Sequence, residues 1–215
     1  MSDASNVVKM QFDDLSQQRE ADTLGMWVFL ATELLLFSGV FLGYTVYRIY
    51  YPQAFMEAGQ HLDLMLGSIN TAILLTSAFT FSLALPAVQA KKRTPLIIWL
   101  SITALLGIVF LVIKGIEYAK EIREGLAPLP GLNFHFPGPH PEHAQLFFNF
   151  YYILTGMHAL HLFIGVCIAL VMIVFAVRSQ NFESLETKID IASLYWHFID
   201  VVWVFIFSML YLMNR

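Results

Sequence analysis

Glu33 stands inside the apolar run GMWVFLATELLLFSGVF, with no other charge close to it in sequence. An ionisable group at bilayer depth costs about 2.5–3.5 kcal/mol even on the mildest scale, so it tends to face a partner or to have a task. Two readings fit. Glu33 is a proton-exchanging carboxyl, or it is a neutral packing residue hydrogen-bonded to another segment, because apolar surroundings disfavour the charged form. His158 and His161 are three apart in TGMHALHLFIG, which places them about 60° apart on one helix face. Together with His197 they could ligate haem or copper; the alternative is a hydrogen-bonded polar seam. YWHFIDVVW puts Trp196, Asp200 and Trp203 at i, i+4 and i+7, hence on one face. His197 lies three residues before Asp200 and can pair with it, structurally or as a proton relay. Lys114 and Glu117, also i and i+3, read as a pair or as side chains that snorkel to the interface. Asn70 and Ser77, seven apart, suit helix-to-helix hydrogen bonds, and Gly39 with Gly43 makes a small-xxx-small pair that favours close contact. No nucleophile with its base and no Gly-rich phosphate loop is present.

The elements that must hold these groups follow from composition. The 215 residues are 58% hydrophobic and 13% charged, against about 45–50% and about 25% in soluble domains. Mean hydropathy is +0.65. So few charges cannot cover a soluble surface, which excludes a soluble globular domain and a disordered chain. Nucleic-acid binding is excluded as well, in keeping with a net charge of -4. One cysteine, Cys167, rules out an internal disulfide and a Cys-rich metal cluster.

A helical span needs roughly 20 apolar residues. Five segments qualify, about 24–47, 65–88, 95–117, 145–177 and 192–213. They are too long and too uniformly apolar for barrel strands of about ten alternating residues. The expectation is an all-α membrane protein, a bundle of five transmembrane helices. It comprises a polar N-terminal segment, 1–22, and a membrane domain, 23–215. The fourth segment exceeds one crossing and should tilt or begin outside the membrane near Gln145. Residues 1–22 lack the basic n-region and short h-region of a signal peptide, so the first helix is expected to be retained.

Flanking Lys and Arg set the orientation. Lys9, Arg19, Lys91, Lys92, Arg93, Arg178 and Lys188 fall on one side; Arg48, Lys120, Arg123 and Arg215 fall on the other. That balance predicts a cytoplasmic N-terminus and a periplasmic C-terminus. The long loop, 119–144, carries prolines at 128, 130, 137, 139 and 141, which block continuous helix. It should cap the outer face. Its histidines, His135, His140 and His143, have no spacing typical of a closed zinc site and read as polar surface.

YWHFIDVVWVFIF, from Tyr195, resembles the signature of the last helix of subunit III of haem-copper oxidases. The other segments agree in order. GMWVFLATELLLFSGVF resembles the helix with a mid-membrane glutamate. NTAILLTSAFT, from Asn70, resembles the next one. ALLGIVFLVIKGIEY, from Ala104, resembles the helix ending in Glu-Tyr, and FFNFYYILTGMHALHLFIGV the Thr-Gly-x-His-x-x-His helix. The chain is similar to the five-helix form of that family.

The resemblance implies a non-catalytic subunit of a bacterial terminal oxidase in the inner membrane. It would pack against oxidase subunits I and II, hold phospholipid and support proton uptake by subunit I. Haem and copper would belong to the partners, with no metal or redox cofactor in this chain. Glu33 matches the family's carbodiimide-reactive carboxyl. Asn70, Glu117, His158, His161, Trp196, His197, Asp200 and Trp203 are the expected polar network. Lys114 departs from the family pattern. A cytochrome c oxidase is favoured. The alternatives are a quinol oxidase, a nitric oxide reductase accessory subunit, or an independent transporter relaying through Glu33 and Asp200.

Overall fold

The computed structural model describes residues 14–128, 134–179 and 181–213. It is helical, with no strand among the described residues. In order come α1 (Leu15–Tyr50), α2 (Pro52–Gln60), α3 (Leu64–Ser82), α4 (Ala84–Gln89), α5 (Arg93–Arg123), α6 (Pro141–Arg178) and α7 (Phe182–Phe207), closed by a π-helical turn, Ser208–Leu212. Five helical runs are long and apolar enough to cross a membrane: α1, α3 with α4, α5, α6, and α7 with the π turn. The expected spans therefore coincide with helices, although the helices are longer than their apolar stretches.

Local chemistry explains where each begins and ends. Asp14 caps α1 by accepting from the Gln17 N–H at 2.7 Å, so the helix starts at Leu15 and takes in SQQREAD, part of the expected separate polar segment; residues 1–13 lie outside the described ones. Pro52 opens α2 and Pro141 opens α6, where the missing N–H breaks no helical bond. Asp63 caps α3 through the Leu66 N–H at 3.2 Å. The second crossing breaks at Leu83, where Pro86 has no N–H for the Ser82 carbonyl. α5 ends with Gly125 at φ 75. Leu126 N–H bonds the Glu121 carbonyl and Gly125 N–H bonds that of Ile122, the two bonds of a Schellman motif. α6 has 38 residues, roughly 57 Å of helix, and begins four residues before Gln145. Pro130 of the long loop lies outside the described residues.

α7 is the keystone. Trp196 donates to Ser77 Oγ at 3.2 Å and Trp203 donates to Thr71 Oγ1 at 3.0 Å, tying α7 to α3. Trp196 fits because α5 and α6 present glycines to it. A Cβ on Gly107 would lie 2.8 Å from Val166 and 3.0 Å from Trp196, and one on Gly165 would lie 3.3 Å from Trp196. Gly107 and Gly165 thus make the room for the indole, and Gly67 on α3 does the same for Tyr211, where a Cβ would lie 2.9 Å from the ring. On α1, Gly39 faces open space and Gly43 meets only the Phe150 ring. α1 attaches along a stripe of Leu30, Phe37 and Tyr44, every seventh residue, and Tyr44 donates to the Met209 carbonyl at 3.0 Å.

Candidate functional site

Glu33 on α1 and His161 on α6 meet at the seam between these helices. His161 Nε2 lies 2.9 Å from Glu33 Oε2, and both side chains keep slight exposure, 14% and 17%. The other ring nitrogen, Nδ1, lies 2.7 Å from the Met157 carbonyl. A carbonyl only accepts, so Nδ1 carries a proton. The Nε2–Oε2 contact then contains a single proton, on the imidazole as an ion pair or on the carboxyl as a neutral pair. The pair is neutral as a whole in either state. Tyr195 donates to the His161 backbone carbonyl at 3.1 Å, and Phe37 packs on the ring at 5.3 Å, which fixes its position.

His158, one turn away on α6, is fully enclosed between Phe110 and Trp203, with ring centroids 5.5 and 4.9 Å away. Neither of its nitrogens has a hydrogen-bond partner among the described residues, nor has either amide atom of buried Asn70. His158 and His161 therefore share a helix face but not an environment. His197 lies on α7, half-exposed, with Nε2 3.2 Å from Ser82 Oγ. Its Nδ1 is 4.0 Å from Asp200 Oδ2, beyond hydrogen-bonding distance. Both Asp200 oxygens are buried without a partner among the described residues. The three imidazoles thus face a carboxyl, an aromatic cage and a serine, and do not converge. Among the described residues no group of three or more His, Cys, Asp or Glu side chains gathers.

A second polar centre lies near the other end of α5. Lys114 is enclosed at 2% exposure and does not snorkel. Its ammonium donates to Glu117 Oε2 at 3.1 Å, Tyr151 Oη at 2.8 Å and Tyr211 Oη at 2.7 Å. Both tyrosines donate to Glu117 Oε1, at 3.1 and 2.5 Å. Beside them Tyr118 and Thr155 hydroxyls meet at 2.6 Å. Three helical segments, α5, α6 and the π turn, are joined through two charges and two phenols. The sequence reading found Lys114 and Glu117 but not Tyr151, Tyr211 or Glu121. Glu121 had a signal, since Lys114, Glu117 and Glu121 are spaced i, i+3 and i+7 on one face. The tyrosines sat in aromatic runs that say nothing of direction. Outside the spans, Asp63 accepts from Leu66 N–H and pairs with Lys120 at 3.4 Å. The backbone bond, and then the lysine, hold its carboxyl below the ordinary 3.8.

An apolar groove of about 450 Å³ runs between α1 and α7, walled by Trp27, Leu34, Phe41, Phe198 and Phe205, with His197 as its polar point. It adjoins a shallow hollow at the N-terminal end of the bundle, where Arg19, Thr23 and the shared Trp27 stand.

Residues 143–215 match the family model described as cytochrome c oxidase subunit III. Over 204 residues the chain is 31% identical to cytochrome c oxidase subunit 3 of Thermostichus vulcanus, covering 94% of this chain and 92% of that protein. The chain belongs to the haem-copper oxidase subunit III family. It is also 32% identical over 203 residues to a probable quinol oxidase subunit 3 of Staphylococcus saprophyticus, and 30% identical over 202 residues to one of Staphylococcus aureus (strain USA300). Each alignment covers 94% of both chains. As a subunit III family member the chain is an integral membrane component of an oxidoreductase complex. Glu33 and His161, from two separate motifs of the resemblance, are side by side in the fold.

Proposed function

We propose that this chain is the non-catalytic subunit III of a bacterial cytochrome c oxidase, seated in the inner membrane with its N-terminus in the cytoplasm. There it packs against subunits I and II and supports proton uptake by subunit I as oxygen is reduced. The Glu33–His161 pair carries the proposal: one proton shared by two groups, neutral overall, at a seam that keeps contact with the surroundings. Such a pair can pass its proton between imidazole and carboxyl without leaving a bare charge in lipid. The groove between α1 and α7 is suited to a phospholipid, with apolar walls for acyl chains and Arg19 at the end where a phosphate would lie.

The chain is proposed to hold no redox centre. Both His161 nitrogens are engaged, His197 is bonded to Ser82, and His158 is caged by two aromatic rings, so ligation would require dismantling these contacts. The test is purification of the complex from a strain lacking this chain. Loss of activity during sustained turnover, with haem content of the remaining subunits intact, is the expected result. Undiminished proton uptake and turnover lifetime would reject the proposal, and stoichiometric metal in the isolated chain would reject the redox-free reading.

The similarity to the Staphylococcus saprophyticus protein supports a second reading, a quinol oxidase. The electron donor oxidised by the purified complex, reduced cytochrome c or a quinol, separates the two.

A further inference from the structure

The charges around Lys114 do not balance. Its ammonium is matched by Glu117, and its three N–H donors are all in use. One turn further along α5, Glu121 is 4% exposed. Neither carboxyl oxygen has a hydrogen-bond partner among the described residues, and neither has the buried Tyr152 hydroxyl. Tyr151 and Tyr152 are the hydroxyls that stand beside Glu121, and Tyr151 is already committed to Glu117. The titratable groups around Glu121 are Lys114, Glu117 and Tyr118 of α5, Tyr151 and Tyr152 of α6, and Tyr211 of the π turn. Among the described residues they hold one cation for two carboxyls. Lys120, adjacent in sequence, is half-exposed and paired with Asp63.

A buried carboxylate with no cation of its own bears a desolvation penalty that a neighbouring phenol offsets only in part, whereas a proton removes the charge and supplies a donor. We propose that Glu121 is a proton-binding site, a carboxylic acid whose proton exchanges with water at the C-terminal face of the bundle. The acid hydroxyl is placed to donate to Tyr152 Oη, and on deprotonation the tyrosine can donate back. The last turn of α5 leads directly to exposed Arg123 and Glu124, so the route to water is short. This site differs in kind from Glu33–His161. That pair keeps its neutrality by moving a proton internally; the Lys114 cluster changes net charge from zero to minus one when Glu121 releases its proton.

The test is infrared difference spectroscopy of the intact purified complex between acidic and alkaline pH. A protonated-carboxyl C=O band should fade as pH rises and shift in D2O. Glu121→Gln should remove that band while leaving co-purified haem unchanged, and Glu33→Gln should leave it in place. If Glu121→Gln fails to assemble, Tyr152→Phe decides, because it keeps the carboxyl but removes its neighbour's hydroxyl and should displace the band. A band that persists unaltered in Glu121→Gln, or is unmoved in Tyr152→Phe, overturns the proposal. So does a titration whose midpoint moves when sodium replaces choline in the buffer, because the site would then belong to a metal cation.

Discussion

His161 Nε2 lies 2.9 Å from Glu33 Oε2 while its Nδ1 bonds the Met157 carbonyl, so a single proton joins α1 to α6. α1 otherwise adheres along one narrow apolar stripe, with Tyr44 and Arg48 near its C-terminal end donating to the Met209 and Met213 carbonyls. The pair is therefore both a chemical centre and a clamp on the most loosely attached span.

Replacing Glu33 by Gln keeps the clamp, because the amide N–H₂ can donate to Nε2 of a neutral imidazole. Glu33→Gln is expected to assemble normally and to lose modification by hydrophobic carbodiimides at this position, read by mass spectrometry. Glu33→Leu leaves Nε2 unpaired and should destabilise the bundle by about 1–3 kcal/mol. Undiminished labelling of the chain in Glu33→Gln would move the reactive acid to Asp200 or Glu121, the buried carboxyls without partners among the described residues.

The Lys114 cluster behaves oppositely, since it is enclosed and its charges are interdependent. Lys114→Met strands Glu117 with two phenols and should cost about 3–5 kcal/mol. Changing both, Lys114→Met with Glu117→Met, removes the stranded charge and should recover much of that loss. Unfolding of the purified complex in denaturing detergent compares the two variants. A double variant weaker than the single one would show that the phenols, not the ion pair, depend on Glu117.

Much of this arrangement was legible in the sequence. Five apolar stretches became five crossings, because lipid leaves a spanning backbone no alternative to internal hydrogen bonds. Trp196, Asp200 and Trp203 were placed on one face by spacing alone, and the tryptophans do turn inward together. Spacing could not tell which polar residues on a face meet. His197 and Asp200 have the right separation yet stand 4.0 Å apart, because His197 turns towards Ser82. Of the Gly39–Gly43 pair, Gly39 faces open space while Gly43 makes a close approach to Phe150 of α6, and spacing gave no sign of Gly107 and Gly165, where a large indole needs room. The start of α1 was missed because an apolar criterion stops at the last apolar residue, whereas the helix continues to its Asp14 cap.

Gly107 gives a direct test of that packing. A methyl there would lie 2.8 Å from Val166 Cγ2 and 3.0 Å from Trp196 Cη2. Neither can retreat easily, since Val166 is in α6 and Trp196 is held by Ser77. Gly107→Ala should destabilise by about 1–3 kcal/mol, whereas Gly115→Ala, facing open space on the same helix, should be neutral or slightly stabilising. Equal thermal stability of the two variants would refute the tight packing of Trp196 against Gly107.

Asp63 gives the pH dependence a definite sign. The Leu66 N–H and Lys120 both stabilise its carboxylate, so its folded-state titration lies below the ordinary 3.8. A carboxyl depressed by folding adds stability that is complete above its unfolded value and disappears as pH falls through the folded one. The first turn of α3 should therefore be protected at neutral pH and loosen only below about 3.8. Asp63→Asn retains a capping oxygen but cannot titrate, and Asp63→Ala loses the cap at a cost of about 1 kcal/mol. Amide exchange at Leu66, compared at matched pH, should be slower in the wild type than in Asp63→Asn at neutral pH. The difference should shrink to nothing in acid, where both side chains are uncharged. A difference that stays constant with pH would mean that the cap alone, without its charge, holds this turn.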